Sequence, residues 1–394
     1  MITPWVLNHS KHWEFIFDSG LRGVCVCVCA SGDKSVSVGR ISSTKVWPSI
    51  GQGLQVQSQV ERINSPSQSP AASPLALGPV QDSPIQPFIL RSLPGPINAI
   101  MSWLTYVWYK LFAVLVRAVM RYLSRARITA PVDDVYRIPS REAGRTIKAH
   151  VYRPLSVAKR SPVLINFHGS GFLLPFHGSD GPFCRQISRE TEYTVLDVQY
   201  RLAPEHPFPA ALNDVEDVIN WVLTQPTDFD LSKVAISGFS AGGNLALAAS
   251  STLFPRDTFR AALAFYPVLD LYTKSSSKVS PDPKGKPIPP AIAGMFDRCY
   301  IPSKLDARDP RISPAYSSPE RFPDRILIVT AAGDNLAGEG EALAARIDKL
   351  PGRQVVCQRM QGCNHGWDKK APEGTIAGDA KDKAYAMAVA MLWR

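Results

Sequence analysis

The stretch Lys233-Val234-Ala235-Ile236-Ser237-Gly238-Phe239-Ser240-Ala241-Gly242-Gly243-Asn244-Leu245-Ala246-Leu247-Ala248-Ala249 decides how the chain is read. A short apolar run that ends in G-x-S-x-G and passes directly into an alanine-rich segment predicts strand, sharp turn and helix. The small residues on either side of Ser240 let the backbone take a strained turn that lifts the hydroxyl clear of the sheet, where bulkier neighbours would collide with the adjoining strand and helix. The bland alternative is a small-residue helix start with Ser240 as a cap. The rest of the sequence chooses between the two.

A serine hydroxyl is a weak nucleophile at neutral pH and needs a base beside it, an acid behind the base and donors for an oxyanion. In an open α/β sheet each of these belongs in a loop at the carboxyl end of a strand. Asp334, in Ala332-Gly333-Asp334-Asn335-Leu336, follows the apolar run Ile326 to Val329. His365, in Gly362-Cys363-Asn364-His365-Gly366-Trp367, follows Gln354 to Val356. Oxyanion donors are expected from His168-Gly169-Ser170-Gly171-Phe172, directly after Val163 to Phe167, with the Ala241 N–H completing the set. Ser170 would serve through its backbone, and its side chain is expected to matter little. Asp270 is the rival acid but comes one strand too early. His150, His177 and His206 are expected to be structural or solvent-facing, as are His9 and His12, and His168 is expected to anchor its own loop.

Around these motifs the chain divides into three parts. Residues 1 to about 95 lack sustained periodicity and become Ser/Pro-rich from Ser65 to Pro96; such a stretch buries too little apolar surface to offset its ordering entropy and is expected to be disordered. Residues 96 to 130 form an apolar or amphipathic helix. Ser102, Lys110, Arg117 and Arg121 fall within an arc of roughly 100° on its wheel, leaving a wide apolar face. Three readings of that helix stay open: a cap over the active site, an interfacial membrane helix through residues 97–127 with trailing arginines toward anionic headgroups, and a tilted span. From residue 131 to 394 strand-like and helix-like runs alternate, which predicts a doubly wound, mostly parallel sheet. Ile147 to Tyr152 reads as an edge strand. About fifty residues, 271–324, interrupt the alternation and are expected to be a lid or pocket wall.

Composition narrows the function classes. The 394 residues carry 44 bases and 34 acids, a net charge of +10, and 12 of those bases against 5 of the acids lie in residues 1–130. The bases are scattered rather than clustered, which argues against nucleic-acid binding. Seven cysteines without paired spacing suit reduced thiols. Cys25, Cys27 and Cys29 alternate with valine and would share one face of a strand, without the fourth ligand or the spacing of a zinc site. The start lacks a basic segment followed by an apolar core and so does not read as a secretory signal. The protein is therefore expected inside the cell, cytoplasmic or membrane-associated, and a serine-based reaction is expected to need no metal and no cofactor.

Five ordered motifs then carry a resemblance: H-G-S-G-F at His168 to Phe172, Y-R-L-A-P-E-H-P-F-P-A at Tyr200 to Ala210, G-F-S-A-G-G-N at Gly238 to Asn244, D-x-L-x-x-E-G at Asp334 to Gly340, and N-H-G-W at Asn364 to Trp367. With these, residues 131–394 resemble the hormone-sensitive-lipase-like family of α/β-hydrolases, the group that includes carboxylesterase-like and arylacetamide-deacetylase-like proteins. The resemblance implies an α/β-hydrolase fold with a helical cap, a nucleophile at Ser240, an acid at Asp334, a base at His365, and oxyanion amides at Gly169, Ser170 and Ala241. It implies hydrolysis of small to medium apolar carboxylic esters through an acyl-enzyme. Amide or lactone hydrolysis and acyl transfer by the same triad stay open, as does a non-catalytic ligand receptor on the same fold. The family's loop is usually H-G-G-G, so Ser170 is expected to cost some backbone freedom. The family's cap, N-terminal helices plus a late insertion, would correspond to 97–127 and 271–324. Residues 1 to about 95 have no counterpart.

Overall fold

The computed structural model describes residues 13–14, 26–29, 38–40, 95–123, 130–156 and 160–393. The chain separates into two units, Met1–Ile85 and Gln86–Arg394. The first contributes three short antiparallel strands in sequence order, β1 (Trp13–Glu14), β2 (Val26–Cys29) and β3 (Val38–Arg40). Cys27 and Cys29 fall on one face of β2 by the two-residue period, while Cys25, His9, His12 and the Ser/Pro-rich stretch lie outside the described residues.

The second unit opens with α1 (Gly95–Leu123), then lays down an eight-stranded sheet. Its strands are β4 (Asp134–Pro139), β5 (Thr146–Tyr152), β6 (Ser161–Phe167), β7 (Thr194–Val198), β8 (Phe229–Phe239), β9 (Ala261–Phe265), β10 (Arg325–Ala331) and β11 (Gln354–Met360), in the spatial order β11-β10-β9-β8-β6-β7-β5-β4. All neighbours from β11 to β7 pair in parallel; β5 and β4 close the sheet antiparallel. The helices between them are α2 (Gly181–Glu190), α3 (Ala210–Leu223), α4 (Ala241–Thr252), α5 (Pro290–Tyr300), α6 (Ala337–Asp348) and α7 (Ile376–Trp393).

The near-continuous apolar character of β6, β9 and β10 follows from burial on both faces. Along β6, Leu164 belongs to the cluster with Phe183, Ile187 and Tyr385 of α2 and α7, whereas Val163 and Ile165 belong to the cluster with Val215, Leu245 and Leu343 of α3, α4 and α6. Two helix layers thus sandwich one sheet. Strand β8, which leads into Ser240, lies between β6 and β9, near the middle of the sheet.

Two features differ from the sequence reading. β5 is not the edge, because β4 pairs outside it with Ile138 opposite Ile147. β4 escapes detection because only Ile138 of its six residues is fully buried. The long helix is also only half committed to the protein. Tyr109, Phe112, Val116 and Met120 pack against the core around fully buried Ala113. On its other side Trp103, Trp108, Leu111 and Leu115 are each about 60% or more exposed. The segment Trp103–Met120 has a mean hydropathy of 1.3 and is long and apolar enough to cross a bilayer, with 6% of it buried.

Candidate active site

The turn between β8 and α4 is built by contacts that exclude larger residues. A Cβ on Gly238 would sit 2.2 Å from the Gly242 carbonyl oxygen, and one on Gly242 would sit 1.9 Å from the Phe167 carbonyl oxygen at the end of β6. Ser240 itself takes φ 51° and ψ −116°, a conformation that non-glycine residues adopt only where the surroundings enforce it. Its N–H donates to Phe265 O at 2.9 Å and its carbonyl accepts from Asn244 N at 3.0 Å. Strand β9 and the first turn of α4 thereby hold the serine in place.

His365 lies across the strand ends with Nε2 2.9 Å from Ser240 Oγ and Nδ1 2.6 Å from Asp334 Oδ2. Asp334 is fully buried, and its other oxygen accepts the Leu336 N–H at 3.1 Å. Its carboxylate therefore faces donors on both oxygens and can hold the imidazole with Nδ1 protonated and Nε2 free to accept. Asp270, the rival acid, is turned elsewhere: its Oδ1 accepts the Tyr272 and Thr273 amides. The edge of Tyr266 (φ 37°) meets the His365 ring with centroids 4.8 Å apart, and its hydroxyl donates to Asp368 Oδ1 at 2.6 Å.

The loop after β6 brings Gly169 to within van der Waals distance of Ser240: a Cβ on Gly169 would lie 3.5 Å from Ser240 Cβ. Among the described residues, none accepts a hydrogen bond from the amides of Gly169, Ser170 or Ala241. These free donors beside the serine hydroxyl are what an oxyanion requires. The Ser170 side chain, expected to matter little, has a definite structural place. It bonds Tyr200 Oη at 2.7 Å and accepts the Phe172 N–H at 2.8 Å, while Tyr200 donates to His168 O at 2.6 Å. The expected loss of backbone freedom is avoided, because the positive φ angles of this loop fall at Gly171 (54°) and Phe172 (62°) rather than at Ser170.

The remaining histidines stand apart from this chain of bonds. His177 Nε2 donates to the Asp197 carbonyl, 2.9 Å away, and its ring lies 4.0 Å from that of His150. Burial, with the neighbouring His168, pushes its pKa down to about 3. His206 is exposed. His168 stacks on Tyr200 with centroids 4.5 Å apart.

Sequence reasoning missed the supports beneath the site. Lys369 Nζ bridges Asp180 at 2.7 Å and Asp368 at 2.8 Å, and lies 3.5 Å from the centre of the Phe239 ring. Burial opposes the charge on Lys369, but the two carboxylates outweigh it and raise its pKa. Removing one member of so buried a set costs about 3–5 kcal/mol, because the partner charges are left uncompensated. The only sequence signal was the juxtaposition of Asp368 and Lys369 with the base loop. The second missed group is Glu205, in a block to which no chemistry was assigned. It pairs with Lys110 at 2.9 Å and with Arg117 at 2.8 Å, and Arg117 also donates to Leu173 O and Ala203 O. Burial would raise the Glu205 pKa, yet these cations hold it down to about 2. This pairing fastens α1 to the loop after β6.

The 271–324 insertion completes the walls. The turn at Gly285 passes so close to the Asp334 and His365 loops that a Cβ on Gly285 would meet Gly333 Cα at 2.3 Å, and the Lys286 N–H donates to Asn364 Oδ1 at 2.7 Å. From α5, Phe296 lies over the oxyanion loop: a Cβ on Gly171 would meet its ring at 2.2 Å. Phe112 of α1 supports that ring edge-on at 6.2 Å. A cavity lined by Gly171, Phe172, Val268, Leu271 and Phe296 opens onto Ser240.

Comparison with known proteins agrees with this architecture. Residues 164–369 match the family described as alpha/beta hydrolase fold. An arylesterase of Saccharolobus solfataricus is 30% identical over 266 residues, covering 65% of this chain and 84% of the relative. The carboxylic ester hydrolase LipN of Mycobacterium tuberculosis is 30% identical over 262 residues, covering 64% and 68%. Among solved structures, the thermophilic carboxylesterase EstE1 from a metagenomic library superposes with a TM-score of 0.61 at 29% identity, over 72% of this chain and 97% of that one. A parallel sheet with a strained serine turn at its centre, the five motifs in order and these relatives lead to one assignment: the chain belongs to the α/β hydrolase fold family, in its hormone-sensitive-lipase-like group.

Proposed function

We propose that this protein is a serine hydrolase of carboxylic esters in which Ser240 is the nucleophile, His365 the base, Asp334 the acid, and the amides of Gly169, Ser170 and Ala241 the oxyanion donors. The observation that carries the proposal is the unbroken bond chain from Ser240 Oγ through His365 to buried Asp334. His365 takes the Ser240 proton as Oγ attacks the ester carbonyl, and the three amides hold the developing oxyanion. His365 then protonates the departing alcohol, and afterwards takes a proton from the water that releases the acid. The relatives named above are ester hydrolases by name, which favours esters over amides or lactones. The cavity's volume, about 50 Å³, and the Phe296 ring across it favour a short acyl chain. A fluorophosphonate should label the protein once per chain, with the modification on the peptide that holds Ser240, and p-nitrophenyl acetate should be hydrolysed faster than the decanoate. Labelling at another residue would overturn the assignment.

We further propose that α1 serves at once as cap and as membrane contact, lying on a lipid surface rather than crossing it. Lys110, Ala113 and Arg117 turn one face of the helix toward the hydrolase domain, so the opposite face, with Trp108, Leu111 and Leu115, is left to meet lipid, together with Trp103, which lies two turns before Lys110 on its side of the helix and is itself exposed. Tryptophans at the polar boundary suit an interfacial position. In the sequence, residues 83–132 contain six bases and no acid, which favours an anionic surface. The protein should float with phosphatidylglycerol vesicles, and replacing Trp103, Trp108, Leu111 and Leu115 together by serine should abolish flotation. Wild-type protein that stays at the bottom of the gradient would rule out this role.

A further inference from the structure

The cavity above Ser240 is mostly apolar, but its charged residues are unbalanced. Asp270, Lys278 and Asp297 all line it. Lys278 is occupied: its Nζ bonds Glu339 Oε2 at 2.6 Å and the Asp270 carbonyl. Glu339 in turn accepts the Leu269 N–H on its other oxygen. Asp270 accepts the Tyr272 and Thr273 amides. Asp297, on the turn of α5 that also carries Phe296, differs from both of the other carboxylates. Among the described residues, none donates a hydrogen bond to its carboxylate, although the side chain is half-buried in the cavity wall. Three carboxylates, Asp270, Asp297 and Glu339, thus surround one ammonium in a protein whose net charge is +10.

An apolar pocket whose wall carries one carboxylate without a hydrogen-bond donor suits a ligand that brings its own positive charge. We propose that Asp297 is a specificity subsite for esters that carry an ammonium group, held against its carboxylate while the ester carbonyl sits at Ser240. The proposal rests on the ester-hydrolase reading above. A cation there would supply the partner that the fold withholds from Asp297 and would offset the negative excess of the cavity. A neutral apolar ester of the same shape would leave the carboxylate buried and unpaired. Burial raises the Asp297 pKa to about 6, against the pull of Lys278 from the insertion and Arg298 on its own helix. Across the cavity, Asp270 is held below the ordinary carboxylate range by its hydrogen bonds although burial opposes this, and Glu339, raised to about 7 by burial, sits behind Lys278. The Asp297 carboxylate is therefore charged at pH 8 and largely protonated at pH 5.

The test uses two isosteric acetates, 2-(trimethylammonio)ethyl acetate and 3,3-dimethylbutyl acetate, followed by acid release with the full-length protein. At pH 8 the ratio of kcat/KM, cationic over neutral, should be about tenfold or more, the size of effect given by one well-placed charge pair. It should fall toward one as the pH drops through 6, and the difference should appear mainly in KM. Any titration of the catalytic groups acts on both esters and cancels in the ratio. In Asp297→Asn, which keeps the side chain's shape, the ratio should be near one at both pH values. In Asp270→Asn, which removes one cavity charge but leaves the subsite in place, it should stay well above one. A wild-type ratio of one at pH 8, or a ratio that survives Asp297→Asn, would overturn the subsite while leaving the esterase reading intact. Failure to hydrolyse either acetate, or any p-nitrophenyl ester, would overturn the reading beneath it and the subsite with it.

Discussion

Ser240→Ala should lower kcat on short p-nitrophenyl esters by on the order of 10⁶-fold, the scale of loss when the nucleophile of such a triad is removed. Among the described residues, no other hydroxyl bonds the His365 imidazole. The other hydroxyl in the oxyanion loop, Ser170 Oγ, is held by Tyr200 and the Phe172 amide, and neither bonds the imidazole. The variant should nonetheless fold. Alanine keeps the Cβ that the strained turn already accommodates at φ 51°, and only the bond to His365 Nε2 is lost, worth about 1 kcal/mol. The fall should therefore appear in kcat with an unfolding midpoint close to wild type, and fluorophosphonate labelling should vanish. Turnover above about one per cent of wild type would mean that another nucleophile carries the reaction. Wild-type protein that binds esters without turning them over would favour the receptor alternative.

What was legible in the sequence follows from how local each constraint is. The serine turn, the oxyanion loop and the acid and base loops each pack their requirement into five or six residues. Gly238 and Gly242 are needed because backbone atoms stand about 2 Å from where a Cβ would be, and such a demand leaves a mark in the sequence. The same holds for β6, β9 and β10, whose burial on both faces forces unbroken apolar runs. Illegible were the parts that depend on partners far along the chain. Glu205 finds Lys110 and Arg117 some ninety residues away, and Lys369 finds Asp180 at a greater separation still. No spacing rule connects them. β4 was missed for a related reason: its single buried residue, Ile138, carries no periodicity. The three readings of α1 stayed open because the wheel shows one wide apolar face and cannot show that part of it, around Phe112 and Ala113, packs on the hydrolase core and on Phe296.

Asp334→Asn tests the acid's role separately from the serine's, and its effect should be nearly as large. Both carboxylate oxygens of Asp334 accept: Oδ2 from His365 Nδ1 at 2.6 Å and Oδ1 from the Leu336 N–H at 3.1 Å. An amide has one acceptor and two donors, so it can satisfy only one of these partners. If its oxygen stays on Leu336, its NH₂ group faces His365 Nδ1, and the imidazole must move its proton to Nε2. A protonated Nε2 cannot take the Ser240 proton. If instead the oxygen turns to His365, the NH₂ group meets the Leu336 N–H in a fully buried site, and the loop that presents the acid is strained. The first arrangement keeps the fold, and the wrong tautomer costs on the order of 10⁴ in kcat with KM little changed. Asp270→Asn, at the rival acid, should leave kcat on p-nitrophenyl acetate within about tenfold, since its amide bonds lie in the cavity wall and not behind the base. The two substitutions measured side by side on that ester decide the assignment. If Asp270→Asn fell furthest, the acid would have to be moved one strand earlier, and the 2.6 Å contact between His365 and Asp334 would be structural rather than catalytic.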